Sequence, residues 1–170
     1  MKYTCSNCGE EHEDFPALAF KSPVYYDILS EEEKSTKGEL TSDTCIIQHD
    51  DQTDRFIRGV LVQPIKDACQ DLDYGLWVSL SEKSFQDYID NFDSDDHETI
   101  YFGWLSSSIP EYESTLSIKT TVHTRGKQRP LIVVQEDNDH NNPFITDYFE
   151  GITEAEAIDR INNMMKSLGS

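Results

Sequence analysis

Residues 115–125 alternate with a period of two, and this alternation constrains the fold more than any other stretch. Leu116, Ile118, Thr120, Val122 and Thr124 fall on one side, and Ser117, Lys119, Thr121, His123 and Arg125 on the other. That is the spacing of a strand with one face covered and one face open. The following GKQRP has the length and the glycine of a hairpin connection into PLIVVQED. A chain holding this strand, turn and strand is committed to a sheet.

Further runs rich in β-branched and aromatic residues extend the sheet. TCIIQ, DRFIRGVLVQP, YGLWVSLS and IYFGWL are each bounded by Asp, Gly, Pro or Asn. Two segments have helical spacing instead. Ser81 precedes Phe85, Tyr88, Ile89 and Phe92 at i, i+3, i+4 and i+7. Thr153 and Glu156 have capping-box spacing ahead of Ala157, Ile158, Ile161, Met164, Met165 and Leu168, with Gly169 at a C-cap position. The paired methionines are expected to fill core gaps. Ser30 and Glu33 form another capping box, but the residues after them have almost no apolar face, so any helix there is short. A short helical turn is expected after Pro23. The expected fold is an α+β domain: a mostly antiparallel sheet of about five or six strands with two main helices and an N-terminal metal knuckle.

The chain has 170 residues, no internal repeat and no Gly/Ser- or Pro-rich linker, which predicts a single domain over 1–170 with residues 1–15 as the knuckle. Fourteen basic against 33 acidic residues give a formal charge of −19. A field of that sign repels phosphate backbones and anionic membranes, so neither nucleic acid nor membrane is expected as a partner. The charge is also uneven. Residues 86–98 carry six carboxylates, whereas 115–133 carry Lys119, Arg125, Lys127 and Arg129 and no acid. The opening MKYTCSNCG lacks a signal-peptide pattern, and no apolar run reaches membrane-spanning length. A cytoplasmic location is expected, where cysteines serve as metal ligands or core thiols rather than disulfides.

The N-terminal CSNCGEEH places Cys5, Cys8 and His12 at the spacing of a structural zinc site. Two thiolates separated by two residues chelate one ion from a single turn, and Gly9 lets the backbone fold tightly around it. A closed tetrahedral site needs a fourth ligand. Cys45, Cys69, His49 and Asp14 are the candidates, and Cys45, at the start of a predicted strand, is preferred. A redox reading of the CxxC pair is the weaker one, because a thioredoxin-type pair needs a preceding βαβ context that four residues before Cys5 do not supply.

CSNCGEEH, SDTC, RFIRGVLVQP, YGLWVSLS, YFGWL, SIKTTVHTR and the late DNDH, in this order, resemble the bacterial domain-of-unknown-function family 2199. The resemblance covers nearly the whole chain. It implies a bacterial, free-standing unit in which the knuckle residues and Cys45 belong to a recurring pattern, and it implies no activity. Thr99-Ile100 and the acidic run Glu136 to Asp139 depart from that pattern.

Two functional classes follow. The first is a zinc-stabilised acidic interaction module that binds a basic protein partner. The second is a small-ligand-binding protein or enzyme, with His123 and Arg125 on the basic strand and His140 beside Asp139 and Glu136 around a pocket walled by Trp77, Tyr101 and Trp104. No nucleophile elbow, phosphate loop, HExxH or dinucleotide fingerprint occurs. The run DNFDSDDHETIY lacks the glycine an EF-hand loop requires.

Overall fold

A computed structural model describes residues 2–4 and 9–168. In chain order the elements are β1 (Lys2–Thr4), β2 (Glu11–Glu13), β3 (Leu18–Ala19), α1 (Val24–Asp27), α2 (Glu31–Lys37), β4 (Gly38–Leu40), β5 (Thr44–Gln48) and β6 (Thr53–Gln63). They continue with β7 (Leu72–Ser79), α3 (Glu82–Asp90), β8 (Ile100–Leu105), β9 (Lys119–Arg125), β10 (Gln128–Val134), α4 (Pro143–Glu150) and α5 (Glu154–Leu168). The chain divides into two compact units, each described by itself: Met1–Leu18, Val62–Tyr74 and Asp139–Ser170 form one, Ala19–Leu61 and Gly75–Asn138 the other.

In the first unit β1 and β2 form an antiparallel pair with Tyr3 opposite His12 and Thr4 opposite Glu11. The Gln70 side chain secures the following segment, donating to Glu13 O at 2.9 Å and accepting from Phe15 N at 3.0 Å. Asn142 caps α4, accepting from Phe144 N at 2.9 Å, with Pro143 in the first turn. Gly151 ends α4 at φ +88°, a conformation only glycine adopts freely, and its own neighbour Ile152 bridges Ile65 in parallel. Thr153 Oγ1 accepts from Glu156 N at 3.1 Å, the expected start of α5. Arg160 of α5 is 2% exposed, and its guanidinium donates to Glu156 at 2.9 Å and to Tyr74 Oη at 3.1 Å, with Asp147 3.6 Å away. The helix departs from expectation at its far end: Met165 is 58% exposed, because only Ala157, Arg160 and Ile161 of α5 are buried. Gly169 lies outside the described residues.

The second unit carries most of the sheet. Strand order is β3-β7-β8-β9-β10-β6-β5-β4, and β6 pairs with β7 as well. Strands β7-β8-β9-β10-β6 therefore close on themselves as a five-stranded barrel, with β3 and the β5-β4 pair attached outside the circuit. The expectation of a simple, mostly antiparallel sheet of about five or six strands is corrected to a closed barrel; most of its pairings are antiparallel. The α+β class holds, but β10 pairs with β6 in parallel through Leu131 opposite Val60, and among the described residues five helices accompany the strands. Among the described residues, closure leaves only the short strands β3 and β4 as edges of this sheet.

Local chemistry explains the elements. On β9, Thr120, Val122 and Thr124 are buried and Lys119, Thr121 and His123 half-exposed, as the alternation requires. The strand starts at Lys119 because Ser117 sits at φ +60°, off the extended path. Arg125 pairs with Gln128 across a two-residue turn. Its Gly126 has φ +60°, and a Cβ there would lie 2.2 Å from the Asp95 carbonyl oxygen, so no other residue fits. Ser30 and Glu33 form the expected reciprocal cap of α2, a seven-residue helix with no buried residue. Ser81 caps α3 by accepting from Ser84 N, and Phe85 and Tyr88 are its buried face. Cys45, Ile47, Phe56 and Trp77 form a core cluster against which Phe20, Tyr25, Tyr26 and Leu29 pack. Trp77 is sealed, its Nε1 donating to Phe20 O at 2.8 Å. Among the described residues no helix is long and apolar enough to cross a membrane.

Candidate functional site

Of the predicted metal ligands at the amino end, Cys5 and Cys8 fall between β1 and β2 in the chain and His12 belongs to β2. Cys5 and Cys8 lie outside the described residues, as does the His12 side chain. Among the described residues no group of three or more His, Cys, Asp or Glu side chains is arranged to hold a metal. Cys45 belongs to the second unit, wholly buried in its apolar cluster. Burial, aided by the nearby Asp27 charge, pushes its thiol up to about 12.

The basic strand and turn are not free to receive an anion. Lys119 pairs with Asp137 at 3.1 Å, Lys127 with Asp95 at 3.2 Å, and Arg129 with Asp43 at 2.8 Å. Arg125 donates through Nε and Nη2 to Arg129 O at 3.0 and 2.6 Å. His123 Nε2 lies 3.0 Å from Thr121 Oγ1. His140 is part of the first unit, where its ring stacks on Phe149 with centroids 5.4 Å apart. The expected aromatic wall also changes. Trp77 and Tyr101 are buried, and of the three only Trp104 reaches a surface. Exposed ion pairs contribute little stability, but each of these engages a cation that an anionic ligand would otherwise meet.

A different surface stands out. On β8, Ile100, Phe102 and Trp104 point outward, 62, 44 and 43% exposed, with Phe102 and Trp104 edge to face at 4.9 Å. Registry places them beside His123, Thr121 and Lys119 of β9. Leu131 and Val133 of β10, opposite His123 and Thr121, widen the row with half-buried aliphatic groups. Its signal was present in the sequence: IYFGWL has large apolar residues on both faces, whereas a strand with one wet face alternates.

Trp104 is also one wall of a cleft of about 430 Å³ that Tyr25 and Phe56 line with it. The Tyr25 and Phe56 rings stack with centroids 5.8 Å apart and planes 18° apart. Asp54 enters the cleft with Ser79 and Ser117. Its carboxylate accepts from Gln52 Nε2 at 3.1 Å on one oxygen and meets His49 Nε2 at 3.0 Å on the other. Sequence reasoning missed this cleft because Tyr25, Asp54 and Trp104 lie far apart in the chain and none belongs to a short motif.

Residues 4–152 match the family described as an uncharacterized protein conserved in bacteria, DUF2199. The chain belongs to this family. Comparison with curated proteins and with solved structures gives no match. Every side chain of the DUF2199 aromatic row and cleft falls inside the matched span. Their chemistry is a carboxylate in a cleft lined by aromatic and polar side chains, and an apolar strip, on a negatively charged protein.

Proposed function

We propose that the protein is a zinc-stabilised acidic interaction module that binds a basic protein partner through the outer face of its barrel. One observation carries the reading: Ile100, Phe102 and Trp104 form a continuous exposed row on β8. Apolar and aromatic surface of this kind is costly to leave in water and is characteristic of partner-binding faces. The charge selects the partner. With a net −19 and the cations beside the row already engaged, the surface attracts a basic protein and repels polyanions.

Zinc supports the same module from the amino end. Cys5, Cys8 and His12 are the donor types zinc prefers, and the β1–β2 pairing sets the His12 backbone opposite Tyr3, two residues before Cys5 in the chain. When bound, the ion supplies a cross-link in place of a larger core. The alternative, a ligand pocket built on His123, Arg125 and His140, has less support, since Arg125 is committed to the Arg129 carbonyl.

The test is calorimetric titration of the full chain with a lysine- and arginine-rich amphipathic peptide at low and high salt. Association that weakens at high salt, and that weakens about tenfold more in Phe102→Ala, supports the reading. No association, or association indifferent to salt, overturns it.

A further inference from the structure

We infer that the cleft bounded by Tyr25, Phe56, Trp104 and Asp54 is a seat for the guanidinium of an arginine side chain carried by the partner. The inference rests on the proposed function and says which part of the partner is recognised.

The cleft brings together the Tyr25 and Trp104 rings, Tyr25 being stacked on buried Phe56, and one carboxylate, the pair of features that bind organic cations best. No lysine or arginine lines it among the described residues. Asp54 is held by Gln52 and His49, one donor to each oxygen. A carboxylate offers about four acceptor positions, so both oxygens retain capacity for a bidentate donor. Ser79 and Ser117 add hydroxyl oxygens on the same cleft.

Shape favours arginine over lysine. The half-buried Tyr25 ring, stacked on buried Phe56, and the exposed Trp104 indole offer flat surfaces, and a planar guanidinium stacks on such faces while its edge donates in a fixed fork. An ammonium is a strongly hydrated point charge that gains less from flat walls. At about 430 Å³ the cleft accepts the aliphatic stem together with the head group. An anion meets the Asp54 charge, and a neutral apolar group leaves that carboxylate covered without a counter-charge.

The backbone adds an independent sign. Ser117, on the cleft, is one of two non-glycine residues with positive φ among the described residues, and its N–H is tied to Leu105 O at 2.9 Å. A left-handed serine held in place by its neighbours is a strained conformation of the kind found at ligand clamps. It also takes the chain off the extended path two residues before Lys119, the residue opposite Trp104 on β9.

The experiment uses the full chain and N-acetyl-arginine methylamide, with the lysine and glutamate analogues for comparison, read by the two indole N–H resonances. The Trp104 signal is expected to move saturably with arginine while that of Trp77 stays. Lysine should bind several-fold more weakly and glutamate not at all. Asp54→Asn should weaken arginine binding at least about tenfold, and Met165→Ala, an exposed position of α5 outside the cleft lining, should leave it unchanged. A stationary Trp104 signal, equal binding of glutamate, or unaltered affinity in a folded Asp54→Asn overturns the inference. If the basic peptide still binds in a salt-dependent way while free arginine does not, only the arginine seat falls. If neither binds, the proposed function falls with it.

Discussion

Tyr101 of β8 donates its phenolic hydrogen to Asp87 Oδ2 of α3 across 2.5 Å, and His97 Nε2 lies 3.1 Å from the same phenol oxygen. The bond ties the helix to the barrel wall at a point where the tyrosine is almost wholly buried. Tyr101→Phe keeps the ring packing and removes only the hydroxyl. It should cost about 1–2 kcal/mol, measured as a lower urea midpoint with unchanged slope. Asp87→Asn should show a similar loss, and the double variant should lose less than the sum, because both changes break one bond.

Stability should fall in alkali. Burial raises the Cys45 thiol to about 12 and the Tyr88 phenol to about 12, with Asp43 adding to the Tyr88 shift. Burial, and then the hydrogen bond to Asp87, raises Tyr101 above the ordinary phenol value. Each group ionises more readily unfolded than folded, so the unfolded state loses protons first as pH rises. Their contributions are complete at neutral pH and decline from about pH 9 upward. Urea midpoints recorded from pH 7 to 11 check this, and Cys45→Ala should delay the onset toward the tyrosine range. Equal midpoints at both ends contradict the assignment.

Arg160 should be the most sensitive charged residue of the first unit. It is buried beneath α5 and reaches Glu156, Asp147 and Tyr74 together. Arg160→Ala removes the fork and its packing and should destabilise by about 2–4 kcal/mol. Arg160→Lys should recover little, since an ammonium cannot serve three partners in different directions. Thermal unfolding of both variants decides the point.

Zinc should be present at one equivalent in protein purified without chelator, by elemental analysis. Cys5→Ser and Cys8→Ser should lose it, and chelation should lower the melting temperature. A metal-free, equally stable protein would remove zinc from the proposed function.

Much of the secondary structure was legible because its signals are local. The alternation at Ile118 to Arg125, the Ser30–Glu33 box and the Ser81 cap each act over a few residues, and each is realised. Barrel closure was not legible, because period and turn chemistry say which residues form strands but not that β6 meets both β7 and β10. The reach of Arg129 to Asp43 is hidden for the same reason: the two lie 86 residues apart, and only the tertiary fold turns a basic stretch into a neutralised one. The expected wall of Trp77, Tyr101 and Trp104 is split by the strand faces, which set Trp104 outward and bury the other two. Asp54, the residue on which the arginine seat depends, sits in an unremarkable TDRF.

The two indoles have a practical consequence. One is shut inside the core and the other stands in water, and the chain contains no third. A neutral collisional quencher such as acrylamide should therefore extinguish one component of the intrinsic emission and spare the other. Unfolding and surface occupancy can then be followed in a single cuvette, without a dye or label.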